Sequence, residues 1–400
     1  MQPVETTPTG WSAMRPVLTL GLTQIVGFGT LFYAFGVIVT PMSADLGLSV
    51  PFAYAALSAA LLVGSLAAPA AGRMVDRFGA RVMMASGSLV TAAVFAALSQ
   101  VQGAWGLVAV LAVAEIVAAL VLYDAAFAAL AQIFGQTRAR RAITQMTLMG
   151  GFASTVFWPL TLALVEGWGW RVTYGAFALF HLVLCLPLHL SLPRKARGEA
   201  PHDPTPPRFA PLPPSLRPRA MVLVAIAFAV SWTVMSAFSA QWVPALGAMG
   251  LTEAAAVAAG ALMGPAQVGA RVIEMLFAHN RHPMVTALIA MSCLTGSLVV
   301  LALGPAGFAT AAVFAVLFGI GQGLGTVIRG TVPLALFGTQ GFAARLGRLA
   351  SLRQLVGALS PFAMAGSLAL FGPGVTLMLA GILALVALAA FWSVPWRVRG

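Results

Sequence analysis

The sequence predicts an all-α integral membrane protein, with twelve transmembrane helices arranged as two six-helix pseudo-repeats and both termini in the cytoplasm. Three observations carry that expectation. The chain is 60% hydrophobic and only 8% charged over 400 residues, with a mean hydropathy of +0.95, more apolar material than a water-soluble globule needs. Its apolar runs are each about 20 residues or longer, the length that crosses a hydrocarbon core. Residues in the first half recur in the second at an interval near 203.

Read in order, the apolar runs place spans near 16–40, 51–71, 82–100, 105–133, 142–165 and 171–191 in the first half. The second half places them near 220–245, 253–277, 284–303, 307–335, 350–371 and 375–395. With the N-terminus inside, 18 of the 22 basic residues fall on cytoplasmic segments. The external loops hold only Arg171, and Arg271, Arg329 and Arg353 lie within spans. That asymmetry follows the positive-inside rule. The net charge of +12 therefore faces anionic lipid headgroups, and nucleic acid is not expected as a partner. Residues 1–15 read as a cytoplasmic tail before an uncleaved first helix.

The segment 193–219, PRKARGEAPHDPTPPRFAPLPPSLRPR, is the only long polar stretch. Its proline and basic content predicts an extended cytoplasmic linker. It separates a first half, 16–192, from a second, 220–396, with 397–400 as a short tail. At the 203-residue interval, Thr30, Ala34, Phe35, Pro41, Gly47 and Leu48 recur as Thr233, Ala237, Phe238, Pro244, Gly250 and Leu251. Phe134-Gly135 recurs as Phe337-Gly338, and Pro159 matches Pro361 one residue closer. Each match involves common membrane residues; the shared interval is what argues for duplication.

Between the second and third spans lies GRMVDRFGAR, with Gly72, Asp76, Arg77, Gly79 and Arg81 in a Gly-x-x-x-Asp-Arg-x-Gly-x-Arg frame. The glycines permit a tight turn. Asp76 can accept from backbone N–H groups at a helix start or from Arg81, and the arginines can anchor to headgroups. This loop resembles the signature of the major facilitator superfamily, whose members are alternating-access transporters. The resemblance implies a cytoplasmic conformational latch between helices 2 and 11 that stabilises an outward-open state, with Arg345, Arg348 and Arg353 as candidate partners. The equivalent stretch of the second half, AHNRHP at 278–283, has lost the acid and both glycines, so the latch is expected to be one-sided.

Ionisable side chains inside a bilayer cost several kcal/mol each on insertion scales, so each is a functional candidate. Span 4 carries Glu115 and Asp124, span 6 His181 and His189, span 8 Arg271 and Glu274, span 10 Arg329 and span 11 Arg353. Asp124 and Arg329 sit at similar depth in pseudo-equivalent helices, which the resemblance places beside a central cavity. They could pair, face the substrate path, or form a structural salt bridge. Glu115 and Asp124 point to opposite faces of a continuous helix at ~100° per residue, so both can line one cavity only if that helix is distorted. Gln267 and Arg271 lie four apart on one face of span 8. The forked, permanent charge of Arg271 suits a carboxylate, while an Arg271–Glu274 pair within the helix is the plainer alternative. Gln24, Tyr33, Trp232 and Gln322 add polar and aromatic candidates to the substrate or proton pathway, and helix packing explains such groups equally well.

Span 8 is similar to that of monocarboxylate-porter relatives, which carry Asp-x-x-x-Arg; here the acid is Gln267. Drug:proton antiporters carry Arg where this chain has Glu115, and a Gly-Pro-x-x-Gly-Gly run where it reads GGFASTVFWPL. That last segment, with GLTQIVGFGTLFYAFG, resembles bacterial facilitators that include arsenite exporters, in which Cys185 or Cys293 would be the thiols to test. The expectation is a monomeric secondary transporter of a small solute in a bacterial inner membrane. An organic anion is one cargo, with protons as a coupling ion through Glu115 or Asp124. Metalloid or drug efflux is the alternative within transport, and a nontransporting sensor or scaffold the alternative outside it. Neither a nucleophile triad, a phosphate loop nor a metal motif appears in the sequence, so neither enzyme activity nor a cofactor is expected.

Overall fold

The computed structural model describes residues 11–193, 209–278 and 280–397, with side chains from Met14 onward and Glu253 left out. Most of the predicted linker, 194–208, and nearly all of the first ten residues of the tail lie outside them. Among the described residues the chain is helical throughout, and nine helical stretches are long and apolar enough to cross a membrane.

The chain forms two compact units. The first contains everything up to Arg208 together with Gly338–Ser351; the second contains Phe209–Phe337 and Leu352 onward. In the first unit α1 (Trp11–Phe28) passes through a π-helical turn (Gly29–Tyr33) into α2 (Phe35–Asp45). α3 (Val50–Phe78), α4 (Ala80–Leu98), α5 (Ala104–Val121), α6 (Tyr123–Gly150) and α7 (Ala153–Phe180) follow, and α7 leads through a second π turn (His181–Cys185) into α8 (Leu186–Leu190). In the second unit α9 (Arg217–Ala248), α10 (Glu253–Ala261) and α11 (Met263–Ile273) lead through a π turn (Glu274–Ala278) to α12 (Pro283–Leu303) and α13 (Phe308–Phe337). α14 (Phe342–Trp392) supplies its first ten residues to the first unit and the rest to the second.

Two boundaries differ from the sequence expectation. The first helix starts at Trp11, because Pro16 is tolerated in its first turns, where few N–H groups have helical partners. The linker does not run free to 219. Leu212 is buried, its N–H donates to Leu336 O at 2.8 Å, and Arg217 Nε donates back to Leu212 O at 2.8 Å, so the second unit begins at Phe209.

The repeat is written in backbone angles as well as in side chains. Gly135 and Gly338, 203 residues apart, have φ of 69° and 72°; Gly47 and Gly250, at the same interval, have 65° and 91°. A third pair that the sequence comparison missed, Gly169 and Gly372, has 78° and 75° and bends α7 and α14 at corresponding points. Helix starts correspond too. The hydroxyl of Ser49 accepts from Phe52 N at 3.2 Å, and that of Thr252, again 203 residues on, accepts from Ala255 N at 3.3 Å, both N-caps of the usual kind. The recurrence ends at Gly79, with φ of 87°, whose counterpart is His282 at −62°. There the histidine caps α12 itself, its Nδ1 accepting from Met284 N at 3.1 Å.

Arg171 ties together the ends of three elements in the first unit. It donates to Asp45 at 2.9 Å and to the carbonyls of Ser99 and Val101 at 3.2 and 2.8 Å, and lies 4.2 Å over the Trp170 ring, whose indole N–H also reaches Asp45. Its fixed role in this knot explains a basic residue on the side where the sequence otherwise places none.

A Cβ added at Gly169 would meet nothing within 4 Å, so the cost of Gly169→Ala comes from the left-handed backbone alone, about 1–2 kcal/mol. Thermal unfolding of the detergent-purified protein should show a lower Tm for Gly169→Ala and for Gly372→Ala. Gly175→Ala, at a helical site that is equally open, should be neutral or stabilising. Equal Tm values for all three would remove the conformational role of these glycines.

Candidate functional site

The Gly72–Arg81 loop is built around satisfied helix ends. α3 closes at Gly79, and α4 starts at Ala80 with an N–H that no preceding turn can accept. Gln132, on α6, fills the gap: its Oε1 accepts from Ala80 N at 2.9 Å and its Nε2 donates to Val75 O at 3.3 Å. Nothing in the local sequence signals Gln132, since its partners lie 52 and 57 residues away.

Asp76 does the same for a more distant helix. Its Oδ1 accepts from Ala343 N at 3.1 Å and its Oδ2 from Ala344 N at 2.8 Å. These are second- and third-position donors of α14, among the N–H groups every helix leaves unpaired, and a carboxylate there also meets the positive end of the helix dipole. Close approach makes the bond possible. A Cβ at Gly72 would lie 2.3 Å from Ala343 O, and one at Gly347 would lie 2.3 Å from Ala68 O. Arg345 braces the turn before α14 through the carbonyls of Gly338, at 3.3 Å, and Gln340. Arg77 lies 5.2 Å over the Phe78 ring at the exposed end of α3, while Arg81 is half-buried in the first turn of α4. Arg353, a latch candidate by sequence, is buried with its guanidinium 5.2 Å over the Trp232 ring. Trp232 in turn fits against Gly357, where a Cβ would come within 2.3 Å of the indole.

Span 4 is not one helix. α5 ends at Val121, Leu122 is extended (φ −86°, ψ −169°), and α6 starts at Tyr123. The calculation that sent Glu115 and Asp124 to opposite faces assumed a continuous helix and does not hold across this break. The break also explains two candidate residues. Ala125 N turns to Leu122 O, leaving Val121 O to accept from Gln24 Nε2 at 2.8 Å. Asp124, in the first turn of α6, is a carboxylate at a helix N-terminus, where the dipole favours it. Glu115 lies against α3, where Gly64 has no Cβ to collide with its carbonyl. Glu115 makes no hydrogen bond or ion pair among the described residues.

Tyr33 closes the first π turn, edge-on to Trp158 at 5.7 Å. Within that turn Thr30 Oγ1 donates to Val26 O at 2.8 Å and lies 2.9 Å from His181 Nε2 in the second π turn. One hydroxyl proton serves the carbonyl, so the imidazole nitrogen is the donor to Thr30. His189 pairs with Ser88 at 2.7 Å. Both histidines are thus buried packing groups of the first unit.

The second unit gathers its candidates into one polar chain. Gln267 Nε2 on α11 donates to Gln322 Oε1 on α13 at 2.6 Å, and Gln322 Nε2 donates to Ser239 Oγ on α9 at 3.4 Å. One turn along α11, Arg271 is buried and donates to Gly323 O at 3.1 Å and to Thr326 Oγ1 at 3.3 Å. Glycines permit this contact: Cβ atoms at Gly319 and Gly323 would meet α11 backbone at 2.8 and 2.6 Å, and one at Gly321 would meet Ala290 O of α12 at 3.0 Å. Arg329 lies on α13, half-buried, and Glu274 is buried in the π turn after α11. Cys185 and Cys293 are free thiols, one in each unit, and no group of three metal-binding side chains occurs among the described residues.

An array of long apolar helices broken at paired glycines, with polar groups gathered on facing helices, defines a multi-pass membrane protein of transporter architecture. The Major Facilitator Superfamily family model matches residues 20–361, and the chain belongs to that family. Its fold is similar to the crystal structure of the human organic anion transporter MFSD10 (TETRAN), with a TM-score of 0.75 over 95% of this chain and 99% of that one at 14% identity. No curated protein matches the sequence.

Loss of the Asp76 carboxylate should release the start of α14. In Asp76→Ala, hydrogen exchange of peptides covering 342–346 should quicken in proportion to about 1–2 kcal/mol of lost capping, with exchange in α12 unchanged. Unaltered protection at 342–346 would show that the cap contributes nothing.

Proposed function

We propose that the chain is a secondary transporter that carries a small organic anion across the bacterial inner membrane by alternating access of two six-helix halves. Membership of the superfamily supports transport. Twelve spans are supported by the nine long apolar stretches once the longer ones are divided at Leu122, Gly135, Gly169 and Gly372. The recurrence of backbone angles at 203 residues supports duplication, and the distribution of basic residues supports cytoplasmic termini. In this reading the bond from Asp76 to α14 is the latch that one transport state keeps and the other gives up.

The observation that carries the substrate class is the chain Ser239–Gln322–Gln267 beside Arg271. Buried polar groups in membrane helices are costly, and this one combines amides able to donate or accept with a permanent positive charge. An anion with hydroxyl or carbonyl groups matches both. Glu115 has no ion-pair partner among the described residues, which makes it the carboxylate of span 4 best suited to carry a proton. The Asp124–Arg329 pair suggested by sequence remains a proposal for charge-reversal variants, as does thiol-dependent metalloid efflux for a double Cys→Ser variant.

Purified protein in proteoliposomes should take up a small organic anion from a panel of carboxylates. Arg271→Gln should raise KM about tenfold or more, the effect of losing roughly 1.4 kcal/mol of binding. Unchanged KM would remove the anion assignment, and absence of flux for every solute would favour a nontransporting sensor. Glu115→Gln should abolish uptake driven by a pH gradient while leaving counterflow exchange intact. Full gradient-driven uptake in that variant would exclude Glu115 as the proton carrier.

A further inference from the structure

At the C-terminal end of α14 the chain forms an aromatic ladder in the second unit. Phe209 meets the His282 ring edge-on at 4.8 Å, His282 stacks on Trp396 at 5.0 Å, and the Arg397 guanidinium lies 5.0 Å over Trp396 and 5.6 Å over Trp392. Arg397 is exposed. Its flat face is used by the indoles, and its N–H edges make no hydrogen bond among the described residues. Such an edge is the forked donor that a phosphodiester accepts in bidentate fashion.

Below this cation the surface is hollow. Two adjoining cavities of about 250 and 430 Å³ share Leu288, Trp396 and Arg397, and the larger continues between α12 and α13 along Val285, Ile289 and Leu317 as far as Cys293. No acidic side chain lines either one. From Val285 to Cys293 the groove descends about 12 Å at ~1.5 Å per residue. That is most of the ~15 Å depth of one monolayer's hydrocarbon. Tryptophans at one end, where interfacial aromatics gather, and apolar walls below reproduce the polarity profile of a single leaflet.

We propose that this groove binds one anionic phospholipid, with the phosphate on Arg397 and an acyl chain against Val285, Ile289 and Leu317. The proposal uses the reading as a membrane protein to place α12 across a bilayer, and it is independent of what the protein transports. The test is tryptophan quenching in phosphatidylcholine vesicles doped with either brominated phosphatidylglycerol or brominated phosphatidylcholine. The Trp392→Phe/Trp396→Phe double variant isolates the contribution of the groove. At equal mole fraction the glycerol lipid should occupy the site about fivefold more than the choline lipid, the preference one basic group gives at the membrane surface. Arg397→Gln should abolish that preference. Equal quenching by the two lipids, a preference that survives Arg397→Gln, or displacement by soluble glycerol phosphate would each overturn the assignment; the last would reduce the site to a free-anion pocket.

Discussion

In hydrocarbon a backbone N–H or C=O without a partner costs several kcal/mol, and no water is at hand to supply one. That constraint governs this protein more than any single contact. Long helices meet it automatically, and each break in a helix reopens it. At Leu122 the freed carbonyl of Val121 is answered by Gln24; at Gly79 the first N–H of α4 is answered by Gln132; at the start of α14 two N–H groups are answered by Asp76. In the first π turn Thr30 takes up the Val26 carbonyl. Polar side chains that look like a solute pathway in the sequence are, in the first unit, largely repairs to the backbone.

Glycine performs the complementary task. Where φ is positive it lets a helix end and redirect, and the same angles at the same interval in both halves show that the redirections are inherited with the repeat. Elsewhere glycine removes a side chain so that one helix can rest on another's backbone, as at Gly72, Gly347, Gly319 and Gly323. The two uses meet at the latch. Gly72 allows the approach, Gly79 the turn, and Asp76 converts the proximity into hydrogen bonds. A repeat that lost the acid and the glycines together, as 278–283 has, loses the whole device, and His282 caps α12 locally in its place.

The architecture was legible because it follows from composition and spacing: apolar runs, charge asymmetry and a repeat interval are all linear properties. The Gly72–Arg81 loop was legible as a motif, and Asp76 as an acceptor for a helix start. That the helix is α14 is a contact 267 residues away, which spacing cannot reveal. The break at Leu122 was also hidden, because VAALVLYDAAF contains neither glycine nor proline to announce it. Its consequence was a wrong relation between Glu115 and Asp124. Gln132 and the stacking of Arg353 on Trp232 depend wholly on tertiary neighbours, and a sequence reading has no signal for either.

The halves have diverged in what their polar groups do. In the first unit Gln24, Gln132, Asp76 and Thr30 all bond main-chain atoms, so removing any one leaves an orphaned backbone group and a stability cost. In the second, Gln267, Gln322 and Ser239 bond one another. A bond between side chains can open by rotation and re-form around a ligand without disturbing a helix, whereas a bond to a main-chain carbonyl cannot be exchanged so cheaply. Recognition by exchangeable groups and conformational control by fixed ones is a division of labour that a duplicated fold permits, since each copy keeps the scaffold while only one must keep the switch. On that argument the second unit is where variation in cargo should be written, and the first is where the mechanics of movement are held.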